Sequence, residues 1–194
     1  MGHMIESKCR EHGLEVAAAS EDICATPAAL ASECVCVDFT TPDAFRENYR
    51  FIAEHFKAAV VGTTGWYDTA PEVFRTFEEC GTPLVWSANF SIGVNALFAA
   101  VEKASAVLNG HGYTPRITET HHIHKKDAPS GTAKILGGIV EKALGAVPSI
   151  DSVREGEVPG IHTVEFLSGC DSLTFTHEAF SREGLAEGAV AAAL

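Results

Sequence analysis

The chain has 194 residues, 46% hydrophobic and 21% charged, a composition that supports a buried core in one large domain or two small ones. Acidic residues outnumber basic ones 26 to 14, for a formal net charge of −12 and a pI near 5.1. That balance argues against a nucleic-acid or anionic-membrane surface, because a phosphate backbone needs a basic face. No apolar run approaches the roughly 20 residues that span a bilayer, and the start MGHMIESKCREHG lacks the apolar stretch of a secretory signal. Six scattered cysteines (Cys9, Cys24, Cys34, Cys36, Cys80 and Cys170) form no Cys-x-x-Cys pair and read as reduced, mostly buried thiols of a cytoplasmic protein.

The first two thirds of the chain alternate strand-like and helical runs. HMIESKCREHG has helical spacing and ends at Gly13, a C-terminal stop; LEVAAAS reads as a strand. CVCVDFT (34–40) is a strand rich in β-formers. The following TPDAFRENYRFIAEHF opens a helix with Thr41 as N-cap and Pro42 at the first helical position. KAAVVGTTG is a strand running into a glycine-bounded turn, APEVFRTFEECG a helix closed by Gly81, and TPLVWSANFS a strand with a polar exit. GVNALFAAVEKASAVLNG is a long helix ending at Gly110. Strand, turn and helix repeated in this way predict a Rossmann-like, doubly wound parallel sheet. Such sheets bind ligands beyond the carboxyl ends of their strands. That rule singles out the exits GTTG (62–65) and SANFS (87–91), where hydroxyls, an amide and glycines let backbone approach a ligand.

After about residue 112 the rhythm changes. TPRITETHH reads as a strand, and APSGTAKILGGIVEKALG as a helix capped by Ser130 and Thr132. GIHTVEFLSG and DSLTFTHEA read as two antiparallel strands joined by a GCDS turn. A last helix runs from about Arg182 to the end. The expected organisation is therefore a dinucleotide-binding-type domain over 1–112. A second, α+β domain with a mixed sheet follows over 113–194, its last helix packing back on the first.

One stretch concentrates chemistry. ETHHIHKKDAPSGTAK (119–134) gathers three histidines and three lysines in an acidic chain, beside an Asp-Ala-Pro-Ser-Gly turn. A strand ending near 120 and a helix starting near Ser130 place the histidines at a strand exit, next to backbone N–H groups at the positive end of a helix dipole. Lys125, Lys126 and the Ser130 and Thr132 hydroxyls add donors, and an imidazole from His121 or His122 can deliver a proton near neutral pH. On chemistry alone this is an acid-catalyst site for a small carboxylate. A metal site is the competing reading of three histidines in four positions, but no HExxH or Cys/His spacing accompanies them. A solvated loop with incidental histidines is the other. SGTAK does not match GxxxxGK[ST], so it is no phosphate loop.

The same stretch resembles the signature of the dihydrodipicolinate reductase (4-hydroxy-tetrahydrodipicolinate reductase) family of lysine and diaminopimelate biosynthesis. VDFTTPDA (37–44), VVGTTGW (60–66), SANFSIGVN (87–95), REGEVPGIHTVEF (154–166) and THEAFSREGLAEGAVAAA (176–193) resemble that family's other blocks in the same order. The resemblance implies His121 as proton donor and Lys125 as a second catalytic donor that also meets the substrate. It implies His122, Ser130, Gly131 and Thr132 around the substrate's carboxylates. Gly62, Thr63 and Thr64, with Ala88, Asn89, Phe90 and Ser91, are implied as contacts of the cofactor, NADH or NADPH. The implied reaction is hydride transfer onto a small cyclic dicarboxylate with loss of water. A homotetramer is implied as well, and the pathway with the absence of a transit-like start points to the bacterial cytoplasm; the acidic composition and the histidine spacing leave no nucleic-acid, membrane or metal partner expected.

The chain departs from the family pattern at its start, where a strand and a GxxGxMG-like loop hold the cofactor pyrophosphate. Met1-Gly2 resembles the last two residues of that loop, which makes Gly2 a candidate contact; an expression scar is the other reading of MGHM. The acidic residue expected to meet the adenosine ribose is Glu21. The family pattern also continues past GAVAAAL. A catalytically silent relative that binds a dicarboxylate or a partner without cofactor is the alternative these departures leave open.

Overall fold

A computed structural model describes residues 1–194. The chain divides into two compact units, Met1–Ser91 with Leu185–Leu194, and Ile92–Gly184. No helix is long and apolar enough to cross a membrane.

The first unit is built on three parallel strands, β1 (Val35–Asp38), β2 (Ala58–Val61) and β3 (Leu84–Trp86), in the order β1-β2-β3. Helix α1 (Gly2–Glu11) precedes them, followed by the single turn α2 (Ala28–Ala31); α3 (Pro42–His55) and α4 (Ala70–Cys80) connect the strands. Helix α3 begins where the sequence says it should. The Thr41 hydroxyl accepts the Ala44 N–H at 3.3 Å, and Pro42, which has no N–H to lose, opens the first turn. Phe45, Tyr49, Ile52 and Ala53 recur at helical spacing, so α3 buries one stripe against Val61, Trp66, Val73 and Phe77. Helix α4 stops at Gly81, whose left-handed φ of 70° a side chain would resist.

LEVAAAS is not a strand. Residues 14–20 join no sheet, because β1, the edge member nearest in sequence, pairs only with β2 and leaves their N–H and C=O groups without a ladder. Three consecutive alanines also give that segment little to bury. The cysteines are free as expected but not mostly buried: only Cys36 is, while Cys24, Cys80 and Cys170 lie exposed in a turn, at a helix end and in a hairpin loop.

The second unit has a four-stranded mixed sheet in the order β5-β4-β6-β7, made of β4 (Thr114–His121), β5 (Ser149–Arg154), β6 (Gly160–Leu167) and β7 (Ser172–Ala179). β4 runs parallel to β5 and antiparallel to β6, which is antiparallel to β7. Helices α5 (Ile92–Leu108) and α6 (Gly131–Leu144) supply Leu97, Val101, Leu136 and Val140 to a core shared with Ile117, Val164 and Phe166. That packing draws α5 into the second unit, so the division falls after Ser91 and not at residue 112. Helix α7 (Glu183–Ala193) joins the first unit from Leu185 onward. Its Ala186 and Val190 pack against Ile5, and Ala189 against Val60 and Phe90.

Candidate active site

Strand β4 alternates exposed and buried positions, and its buried row reads Pro115, Ile117, Glu119, His121. A period of two puts these four on one face, so two ionisable side chains are carried inward beside the core residue Ile117. Glu119 is fully buried. One of its carboxylate oxygens, Oε2, accepts from His121 Nδ1. The other, Oε1, accepts from the Arg154 guanidinium at 3.0 Å and from the backbone N–H of Ser130 at 3.3 Å. Burial pushes the Glu119 carboxyl up, but hydrogen bonds from Arg154, Ser152 and His121 outweigh it and hold the group below its ordinary value.

Arg154 comes from β5, where it stands opposite His121 in the parallel register. Its guanidinium also donates to the carbonyls of Asp127 (2.6 Å) and Lys125 (3.3 Å), which ties down the connection between β4 and α6. Within that connection Lys125 Nζ donates to Asp127 Oδ1 at 2.7 Å, and this hydrogen bond holds the Asp127 carboxyl below the usual range. His122 is half-buried, and its Nδ1 has no hydrogen-bond partner.

Helix α6 opens beside these groups. Ser130 is its N-cap: the hydroxyl accepts the Ala133 N–H at 3.2 Å, and the same oxygen lies 3.2 Å from His162 Nε2. Gly131 and Thr132 are the first two helical residues, at the positive end of the dipole. His162 projects from β6, where it pairs with Glu119, and its ring meets His121 edge-to-face at 5.1 Å. Burial and then the neighbouring His121 lower the His162 imidazole to about 4. His121 is also lowered, by burial first; Glu119 opposes that drop, while Lys125 and Arg154 reinforce it.

Glu119, His121 and His162 offer ligand atoms within 4.8 Å of one another. Both Glu119 oxygens are nevertheless committed to Arg154, Ser130 and His121, so a cation there would have to displace a guanidinium. His124, the third histidine of the stretch, sits apart at the surface, 3.3 Å from Glu157. The second unit thus brings His121, His122, Lys125, Ser130, Gly131 and Thr132 into one stretch of strand end, loop and helix start. It adds Glu119, Arg154 and His162, which the sequence reading did not single out.

In the first unit the expected cofactor residues follow the carboxyl ends of β2 and β3. Gly62 donates its N–H to the Asp38 carbonyl at 2.8 Å, and a Cβ on it would overlap the Phe39 ring. The buried Thr63 turns its hydroxyl to Asp38, while Thr64 is exposed. Ser87 and Asn89 shape the next exit. The Ser87 hydroxyl donates to the Asn89 carbonyl (2.7 Å), and Asn89 Oδ1 accepts the Ser91 N–H (2.9 Å). Ala88 is exposed, whereas Phe90 packs inward on Phe39 and Ala189. Gly2 opens the ten-residue α1, with nothing within 4 Å of where a Cβ would stand. Glu21 is exposed in an irregular segment and does not end a strand. Strand exits lined by backbone, hydroxyls and an amide fit a nicotinamide dinucleotide.

Sequence comparison matches residues 1–90 to the profile described as dihydrodipicolinate reductase, N-terminus, and residues 93–194 to that described as dihydrodipicolinate reductase, C-terminus. A protein of Chromohalobacter salexigens named 4-hydroxy-tetrahydrodipicolinate reductase is 38% identical over 188 residues, covering 86% of this chain and 70% of the relative. Its namesake from Ralstonia pickettii is 37% identical over 187 residues, with 86% and 70% covered. Among solved structures, the dipicolinate-bound dihydrodipicolinate reductase of a Paenisporosarcina species superposes with a TM-score of 0.70. It shares 22% identity and covers 80% of this chain and 66% of that one.

Proposed function

Because the chain belongs to the dihydrodipicolinate reductase family, we propose that His121 is the proton donor in the reduction of 4-hydroxy-tetrahydrodipicolinate to tetrahydrodipicolinate with loss of water. The observation that carries this reading is the juxtaposition of a buried, carboxylate-braced imidazole with the capped start of α6. A small dicarboxylate meets the turn that Ser130 caps, at Gly131 and Thr132, where the helix dipole favours negative charge. The otherwise unpartnered His122 Nδ1 supplies a further donor. Lys125 exchanges its Asp127 partner for a substrate carboxylate, which places a fixed positive charge beside the ring being reduced. His121 takes up a proton from solvent at Nε2, the nitrogen that carries no internal hydrogen bond, and passes it to the reduced ring, returning to its neutral Nδ1–H form.

NADH or NADPH, when bound, supplies the hydride. The backbones at Gly62, Thr63 and Thr64 and at Ala88, Asn89, Phe90 and Ser91 receive its nicotinamide end, with Thr63 and Phe90 contributing main chain only. Gly2 receives the pyrophosphate; Glu21, which ends no strand, loses the ground for a ribose contact. A homotetramer, its mass checked by sedimentation of the purified chain, working in the bacterial cytoplasm completes the reading.

The test supplies substrate in situ from the preceding pathway enzyme and follows NADH and NADPH consumption, with the product identified by mass. Turnover by the wild-type chain that disappears in the His121→Ala, Lys125→Ala double variant is the expected result. A folded chain that consumes neither cofactor would overturn the reading in favour of a catalytically silent relative.

A further inference from the structure

We propose that Glu119 is the positioning residue for His121: it fixes the imidazole as the Nδ1–H tautomer and leaves Nε2 as the nitrogen that exchanges protons with substrate. The inference rests on His121 being the proton donor, and it adds a residue that acts through His121 without touching substrate.

A carboxylate can only accept hydrogen bonds, so in the Glu119–His121 contact the hydrogen must sit on Nδ1. Glu119 cannot turn away. It is fully buried, and its other oxygen is held from β5 by Arg154 and from the α6 cap by the Ser130 N–H. Nε2 points the other way and has its approach kept open by Gly160, where a Cβ would come within 3.0 Å of it. The charged and titratable groups facing His121 are Glu119 on β4, Arg154 on β5, His162 on β6 and Lys125 in the loop. Asp127 in the same loop is coupled to the ring through space as well, but of the two carboxylates that favour the imidazolium only Glu119 is hydrogen-bonded to it. A positive ring at His121 is therefore held chiefly by the carboxylate bonded to its Nδ1.

Substitution Glu119→Gln keeps the shape and reverses the logic. The amide has one acceptor oxygen, which two donors, Arg154 and the Ser130 N–H, hold in place. Its NH2 then faces Nδ1, which must become an acceptor, so the proton moves to Nε2.

Ring 15N NMR of the full chain at neutral pH reads this directly. The wild type is expected to show His121 protonated at Nδ1 and bare at Nε2, and Glu119→Gln the reverse. In the variant, kcat falls roughly 100-fold and the high-pH limb of its profile moves to lower pH, with KM for the cofactor unchanged. A merely structural residue would lower the melting temperature and move neither tautomer nor pH limb. An Nε2–H tautomer in the wild type overturns the proposal, and that measurement needs no variant to fold. So does a folded Glu119→Gln protein with wild-type kcat and pH limb. The NMR result stands apart from turnover, so a chain that reduces nothing would sink the functional reading while this one was still being decided.

Discussion

The hydroxyl of Thr63 donates to the buried carboxylate of Asp38, joining the exit of β2 to the exit of β1. Thr40 completes the knot: its N–H reaches Thr63 Oγ1 at 2.8 Å, and its hydroxyl reaches both Asp38 oxygens at 3.1 Å. The Trp66 indole N–H then pins the Thr63 carbonyl at 2.7 Å. Thr63 is therefore a strut of the proposed cofactor loop. Replacing it with Val, which is equal in volume but has no hydroxyl, leaves a buried carboxylate short of one donor. The expected cost is about 1–3 kcal/mol, read as a lower urea midpoint, with a raised KM for NADH or NADPH.

The buried histidines give the second unit a pH-dependent stability. His162 titrates near 4 in the folded chain against 6.5 when unperturbed. Between these values the unfolded chain holds the extra proton, so stability rises with pH. The contribution of neutral His162 is complete above pH 6.5 and drains away as pH falls toward 4; His121, lowered too, acts in the same direction. Thermal melts across that window should show a shallower slope for His162→Asn than for the wild type. Parallel slopes would contradict this account of His162.

Ser130 serves two partners with one oxygen, the Ala133 N–H and His162 Nε2. Ser130→Ala loses the cap, worth about 1 kcal/mol, and strips the buried imidazole of its partner, worth roughly 1–3 more. Calorimetry should find a destabilisation larger than an ordinary cap loss. Kinetics should find a higher KM for the dicarboxylate.

Two helical glycines separate packing from propensity. A Cβ at Gly188 of α7 would overlap the Phe90 carbonyl, whereas Gly138 of α6 has nothing within 4 Å. Gly188→Ala should lower the unfolding free energy by about 1–3 kcal/mol, and Gly138→Ala should raise it by up to about 1 kcal/mol, both read from urea titrations.

Much of this was legible in the chain itself, and the gaps have physical causes. Thr41-Pro42 and Ser130 announced their helices because capping is local chemistry written into adjacent residues. His121, Lys125 and the α6 start stood out because so many donors crowd one stretch. Strand β5 was missed: its exposure alternates poorly, with only Ile150 and Arg154 partly buried, and edge strands need no apolar face. With β5 went Arg154, the partner of Glu119. Glu119 and His162 did have a signal. Each interrupts an alternating apolar row, Ile117-Glu119-His121 on β4 and Gly160-His162-Val164-Phe166 on β6, and a polar residue on a buried face needs a partner. LEVAAAS misled in the opposite way, since local β character cannot form a strand without a neighbour to complete its ladder.

The central claim is that His121 donates the proton, and kcat of His121→Gln at saturating substrate tests it most directly. The account predicts a loss of about 100-fold or more, with cofactor affinity and fold unchanged. A variant within a few-fold of wild-type kcat would contradict it and move the donor elsewhere, with Lys125 next to be examined.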